Sequence, residues 1–370
     1  MKSWVAVFAI LSSTAVGAAP LPLDTLQLPP GFGIAVYADG VRDARELARG
    51  TNGTVFVGSG DAGRVYALTD AGGDAKPARV RVIASGLQNP IGVAFHRGDL
   101  YIGAISRIFV LRDIEHHLDA PPKPELVTDK LPDKTHHGGK FIAFGPDGRL
   151  YVPVGAPCNV CAPGDAFAKL LSMKADGSDW RDVASGIRNT VGFDWQPATQ
   201  QLWFTDNGRD LLGDDLPSDE LNRITRTGEH FGFPYCHQGD TLDPEFGSGK
   251  SCASYTAPVA KLGAHVAALG MRFYTGSMFP ADYRGAVIVA EHGSWNRSKK
   301  SGYRVVAVRV GGARAGEQTV LIDGFQHDEQ AHGRPADVLV MPDGALLVSD
   351  DLAGAVYRVS WSKPAAAKAR

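Results

Sequence analysis

The sequence predicts an all-β chain folded as a six-bladed β-propeller. Six strand pairs of one pattern recur along the chain. Most of their spacings are about 45 to 60 residues, the length of one four-stranded blade. Glycine takes 44 of 370 positions, well above the roughly 7% average, as many tight turns require. Helical periodicity is confined to short pieces such as Ile114 to Leu118, which disfavours an α/β barrel. A β-sandwich rarely needs six repeats of this length.

The N-terminus reads as an export signal over residues 1–19. Lys2 supplies positive charge, Trp4 to Leu11 an apolar core, and Val16-Gly17-Ala18-Ala19 a small-residue cleavage site. The apolar stretch is shorter than the roughly 20 residues that span a bilayer, and Pro20 and Pro22 follow at once. Residues 20–370 are therefore expected to form the propeller in a periplasmic or secreted setting, with no membrane span in the mature chain. A formal charge of −2 and a pI near 6.6 give no electrostatic reason to expect nucleic acid or an anionic membrane as partner. The ligand is to be sought in a site.

The repeat units run in order: Asn52 to Gly58 with Val65 to Leu68; Gly98 to Gly103 with Ile108 to Leu111; Pro146 to Gly155; Gln201 to Asn207 with Glu220 to Ile224; Gly285 to Glu291 with Tyr303 to Val308; and Pro342 to Asp350 with Ala355 to Val359. Each joins a Gly or Asp turn to an alternating apolar strand. The gap between the fourth and fifth units is longer and holds an inserted loop at about residues 232–262, rich in Gly, Asp and Pro. A propeller closes radially, so the loops beside its inner strands meet in one central funnel. Candidate residues are those next to the repeats.

Thr135-His136-His137-Gly138-Gly139-Lys140 precedes the third unit. Its glycines allow close approach to the backbone, one imidazole there would sit in a cavity, and Lys140 would reach an anion. Ordinary structural histidines and a surface lysine are the bland counterparts. Arg188 and Asn189 precede the fourth unit and Arg334 the sixth. A guanidinium in a water-poor funnel calls for a carboxylate or phosphate, or else for an inter-blade salt bridge. Trp295, in Glu291-His292-Gly293-Ser294-Trp295-Asn296-Arg297, would stack on a flat ring or pack between blades. The oxygen-rich run Asp206 to Asp210 and Asp214 to Asn222 would suit a hard cation or form a solvated acidic loop. Four cysteines in an exported chain imply two disulfides. Cys158 and Cys161 lie three residues apart in a Cys-x-x-Cys, Cys236 and Cys252 bracket the loop, and the pairing is left open.

These stretches together resemble the pyrroloquinoline quinone-dependent sugar dehydrogenases of the soluble glucose and L-sorbosone dehydrogenase type. The strongest matches are His136 to Phe141, Gly186 to Phe193, Phe204 to Asp210, Glu291 to Arg297 and Gly333-Arg334-Pro335. The resemblance implies a quinone lying flat in the funnel with Ca²⁺ beside it, and a histidine base that takes a substrate hydroxyl proton while hydride passes to the quinone. Spacing to the downstream basic residue places that histidine at His136, with His137 as the adjacent alternative. The resemblance further implies cofactor binding by Lys140, Arg188, Asn189 and Arg334. The backbone carbonyls of Gly208 and Arg209 would go to Ca²⁺, and Asp219 is a further candidate ligand. The chain departs from glucose-type members at Lys140, where they carry arginine, and at Thr135, where the base has an acidic neighbour. The expected activity is oxidation of an aldose, sorbosone or related hydroxy-aldehyde, with an external electron acceptor the sequence does not identify. Two readings stand beside it: a Ca²⁺-dependent lactonase and a non-catalytic binding propeller.

Overall fold

The computed structural model describes residues 21–69, 77–311 and 316–364. The expected export signal, residues 1–19, lies outside them.

Six blades surround a central axis. Blade 1 is built from Ala44–Arg49, Val55–Ser59, Arg64–Thr69 and Arg79–Ser85. Blade 2 follows with Gly92–His96, Asp99–Gly103, Ile108–Leu111 and Glu125–Thr128. Ala143–Phe144, Leu150–Val154, Lys169–Met173 and Arg181–Ser185 make blade 3, which Glu229–His230 extends in parallel. Blade 4 comprises Phe193–Trp195, Leu202–Asp206, Ser218–Arg223 and Ala260–Ala264, and blade 5 Ala268–Phe273, Val287–Glu291, Arg304–Val308 and Gln318–Ile322. Blade 6 has Pro335–Val340, Leu346–Asp350 and Ala355–Trp361. Its outermost strand is Phe32–Ala38, which pairs antiparallel with Ala355–Trp361 and so locks the ring by joining the two ends of the chain.

The six sequence repeats are the second and third strands of the blades. Val287–Glu291, in the fifth repeat, is the second strand of its blade, and Ala268–Phe273 is the inner one. The reason is packing. Second strands such as Val55–Ser59, Leu202–Asp206 and Leu346–Asp350 are buried at every position because a neighbouring blade covers each face. They therefore read as strong apolar runs. Inner strands face the axis and carry charge, so their period is weak.

One apolar layer fills each gap between blades. Leu347 and Val356 meet Val55 and Val57 between blades 6 and 1. Phe56 meets Val93 and Ile102 between blades 1 and 2, and Phe141 meets Phe193 and Phe204 between blades 3 and 4. Trp203 packs on Met271 and Val289, and Tyr274 and Ile288 on Val348 and Tyr357. Each fully buried side chain of this size contributes about 1.5–3 kcal/mol, which is why a ring without a single central core holds together.

A charged network on the inner strands ties the blades across the axis. Glu46 Oε2 accepts the amides of Val93 and Ile142, each at 3.0 Å. Asp194 Oδ2 accepts Phe273 N at 2.9 Å, and Asp337 Oδ2 accepts Leu47 N at 2.8 Å. Arg272 reaches Asp337 at 3.4 Å and lies 5.0 Å over the Phe141 ring. Burial pushes the Asp337 carboxyl up to about 6 and raises Glu46 and Asp194.

The inserted loop leaves blade 4 after Arg223 and returns at Ala260. It contains the small hairpin of Cys236–His237 and Thr241–Leu242, and is cross-linked by Cys236–Cys252. Cys158–Cys161 is the second disulfide. Among the described residues no helix is long and apolar enough to cross a membrane.

Candidate functional site

A cavity of about 340 Å³ opens where the inner strands begin. Its wall includes Arg45, Ile91, Leu269 and Arg334, and the axial network lies one to three residues farther along the same strands, beneath its floor.

His137 stands in this wall and His136 does not. The two imidazoles lie 4.1 Å apart and tilted by 57°, the second in the cavity wall and His136 exposed beside it. His137 has a left-handed backbone, φ 49°. Gly155 packs against it, and a Cβ at 155 would fall 2.6 Å from that of His137, so only glycine fits. His137 Nδ1 donates to the Ala156 carbonyl at 2.9 Å, which leaves Nε2 with the lone pair. Burial, and then the Arg188 charge, push His137 down to about 3, so the ring is neutral.

Arg188 is buried in the wall. Its Nε donates to Asn159 O at 2.8 Å, Nη1 to Asn207 O at 3.1 Å and Nη2 to Asn159 Oδ1 at 2.8 Å. Arg334 donates Nε to His292 O at 3.1 Å and Nη2 to Gly293 O at 2.8 Å, with its guanidinium 5.5 Å over Tyr303. Both guanidiniums are oriented chiefly by neutral oxygens. Asp210 approaches Arg188 no closer than 3.6 Å, so much of the positive charge is left for a ligand. Arg45 adds a third cation, paired to Asp351 at 2.9 Å, and Asp351 in turn receives His292 Nε2 at 2.8 Å. Asn189 completes this side, with its amide fixed on Asp206 at 2.6 Å.

The other expected residues are placed as follows. Trp295 is in the wall with 76% of its surface exposed, an open face at the mouth of the funnel. Lys140 is buried outside the wall, and its ammonium donates to the Gly138 carbonyl instead of entering the cavity. Burial pulls that ammonium down to about 8. Gly208 lines the cavity and gives its amide to Asp219 Oδ1 at 2.8 Å. Asp219 Oδ2 accepts Ala268 N at 3.0 Å, and burial raises this carboxyl to about 6. The Arg209 side chain turns into the inserted loop, to Asp243 at 2.6 Å. Among the described residues, no hydrogen bond reaches the carbonyl of Gly208 or Arg209, and no cluster of three His, Cys, Asp or Glu side chains forms a metal cage. This donor set suits a cation held by backbone carbonyls and completed by a ligand's own carboxylates.

Arg45, His265 and Asp351 were not singled out from the sequence as site residues. Arg45 opens the inner strand of blade 1 much as Arg334 precedes that of blade 6. Aligning inner strands, rather than the apolar hairpins, would have exposed it.

His292 gives a pH signature. Burial pushes it down to about 4 against the pull of Asp351. Burial would raise Asp351, but His292 and Arg45 outweigh it and hold that carboxyl at about 2. An unfolded histidine titrates near 6.5, so between pH 6.5 and about 4 only the unfolded chain binds the proton. Stability is thus present above pH 6.5 and lost as pH falls. Urea unfolding of H292N is expected to show a pH 7 to pH 4.5 loss smaller than that of the wild type by roughly 2–3 kcal/mol. An equal loss in both proteins refutes the assignment.

The whole arrangement has counterparts. A family model described as TrAA12-like matches residues 26–362. An uncharacterized protein of Borreliella burgdorferi is 32% identical over 96% of this chain and 95% of its own length. Among solved structures, the holo PQQ domain of pyranose dehydrogenase from Coprinopsis cinerea superposes with a TM-score of 0.78 at 19% identity, covering 92% of this chain and 98% of that one. The calcium structure of the Trichoderma reesei carbohydrate-active enzyme of family AA12 gives 0.79 at 18% identity, covering 94% and 100%. The structural likenesses show a shared propeller, and the family model shows membership: this chain belongs to the TrAA12-like family.

Proposed function

We propose that the cavity binds pyrroloquinoline quinone with Ca²⁺ and that the protein oxidises an aldose, sorbosone or a related hydroxy-aldehyde. The observation that carries this reading is the set of three guanidiniums, Arg45, Arg188 and Arg334, around one cavity, two of them oriented by carbonyl oxygens that leave their charge free. A small polycarboxylate with a flat ring is the chemistry that such a wall recognises. The Coprinopsis domain is named for the same quinone, and the Trichoderma structure for calcium. The same wall also holds Asn89, Asn189, Asn207, Asp210 and Asp219, but three guanidiniums suit an anionic ligand better than they suit the metal cage of a lactonase.

Arg188, Asn189 and Arg334 bind the anionic cofactor, and Trp295 covers the mouth. Gly208 and Arg209 offer carbonyls to the cation, and Asp219 fixes the turn through the Gly208 amide and is a candidate ligand. Lys140 acts on the turn that carries His137, by way of Gly138. When bound, the quinone supplies a two-electron acceptor for hydride from the carbinol carbon. His137 Nε2 takes the hydroxyl proton as that carbon becomes a carbonyl. The apolar start of residues 1–19 and the two disulfides support export to the periplasm or beyond.

Purified apoprotein is expected to oxidise members of an aldose and aldehyde panel in a dye-coupled assay only after both pyrroloquinoline quinone and Ca²⁺ are added, and to lose activity when a chelator removes the cation. Absence of quinone binding by the folded protein sinks the proposal.

A further inference from the structure

The small ring closed by Cys158–Cys161 lies directly beside the anion clamp. Between the two cysteines sits Asn159, and it holds Arg188 twice: through its backbone carbonyl to Nε at 2.8 Å and through Oδ1 to Nη2 at 2.8 Å. The same Oδ1 accepts the Asp210 amide at 2.9 Å, and Nδ2 donates to the Asp210 carbonyl at 3.3 Å. One residue thus holds two donors on one edge of the guanidinium and binds the loop that follows blade 4's second strand. Backbone and side chain of Asn159 must both be in register for this, since a guanidinium is a planar fork with fixed donor directions.

Asn159 and both cysteines are only half-buried, and the only strand neighbours of the loop are Leu150–Val154 before it and Lys169–Met173 after it. No regular hydrogen-bonded ladder holds Asn159; its neighbours Cys158 and Val160 pack on the cluster of Ala156, Ala168 and Phe233, and the Cys158–Cys161 link adds a covalent constraint. Asn159 is also uncharged. It directs Arg188 without neutralising it, whereas an aspartate in its place would cancel the charge that an anionic ligand needs.

We infer that Asn159 is a positioning residue for Arg188, and that the Cys158–Cys161 bond pre-organises it, so that this disulfide sets the affinity of the cavity for its anionic ligand. The inference rests on the quinone reading for the identity of that ligand, but the positioning itself does not. Pre-organised donors bind more tightly because the ordering cost is met before the ligand arrives.

The test compares wild type, C158S/C161S and N159A. In ¹⁵N-labelled protein without cofactor, the Arg188 Nε–H resonance, assigned by its absence in R188K, is expected to exchange slowly in the wild type and to be lost to exchange in both variants. Quinone titration followed by tryptophan fluorescence is expected to show affinity lowered roughly tenfold or more in both, the factor one charge-assisted hydrogen bond is worth. N159A keeps the disulfide intact, so it decides the matter if the double variant does not fold. A persistent Arg188 signal in folded variants, or unaltered affinity, overturns the inference. If the wild type shows the protected resonance but binds no quinone, the quinone reading fails, and the resonance comparison alone still supports or overturns the role of Asn159.

Discussion

Replacing His137 with alanine is expected to lower kcat of the reconstituted enzyme by roughly 10²–10⁴-fold while quinone affinity changes only a few fold. His136→Ala is expected to retain activity within tenfold. The difference follows from geometry. The Ala156 carbonyl can only accept, so His137 Nδ1 must carry the hydrogen, and Nε2 is the nitrogen able to take a proton. His136 has no place in the cavity wall. Burial first, then the charge of Arg188 and, after it, those of His136 and Lys140 hold the His137 imidazole down to about 3. Pairing an anion with Arg188 removes the second, so the histidine becomes a stronger base when the cavity is loaded. A titration of the His137 ring by NMR is expected to show its pKa rise when the cofactor is added. Loss of turnover in H136A with retention in H137A would return the base to the first histidine.

How much of this was legible beforehand depends on which face of a strand is asked about. The second strands announced the blades because both of their faces meet apolar neighbours, and Leu346–Asp350 or Val287–Glu291 could hardly be read otherwise. The inner strands were silent. Ala143–Phe144 and Phe193–Trp195 are too short to show a period, and the others carry Glu46, Arg272 and Asp337 facing one another across the axis. At the site, Arg188, Asn189, Arg334, Gly208 and Trp295 were reachable because each adjoins a repeat. Arg45 and Asp351 were not, since their meaning lies in a contact between the first blade and the last, over 300 residues apart in sequence. The choice between His136 and His137 depends on the hand of a single turn, in which His137 has positive φ. Spacing along the chain does not encode that, and Lys140, the residue from which the spacing was counted, folds back onto Gly138.

Arg272→Met is expected to cost about 3–5 kcal/mol of stability, the usual penalty for removing one partner of a buried ion pair, with no residue of the cavity touched. Arg272 keeps 15% of its side-chain surface and Asp337 2%, so solvent does little to screen the pair. The guanidinium acts on Glu46, Asp194 and Asp337 together, and these three carboxyls hold its pKa above the usual arginine value against the effect of burial. Without it, the carboxyls of Asp337 and Asp194 lose the charge that lowers them, and each must take up a proton or remain buried and charged. The sign of the pH dependence follows. The folded pKa of these acids rises further above the unfolded value near 3.9, so the variant loses stability as pH climbs from about 4 through that raised value. Urea unfolding should therefore show R272M closer to wild type at pH 5 than at pH 8. Methionine preserves much of the volume over the Phe141 ring, so a deficit that does not change with pH would point to lost packing and refute an electrostatic role for the network. Because Glu46 binds the amides of Val93 and Ile142 while Asp337 binds that of Leu47, the damage would not stay in one blade, and the unfolding transition should remain single as its midpoint falls.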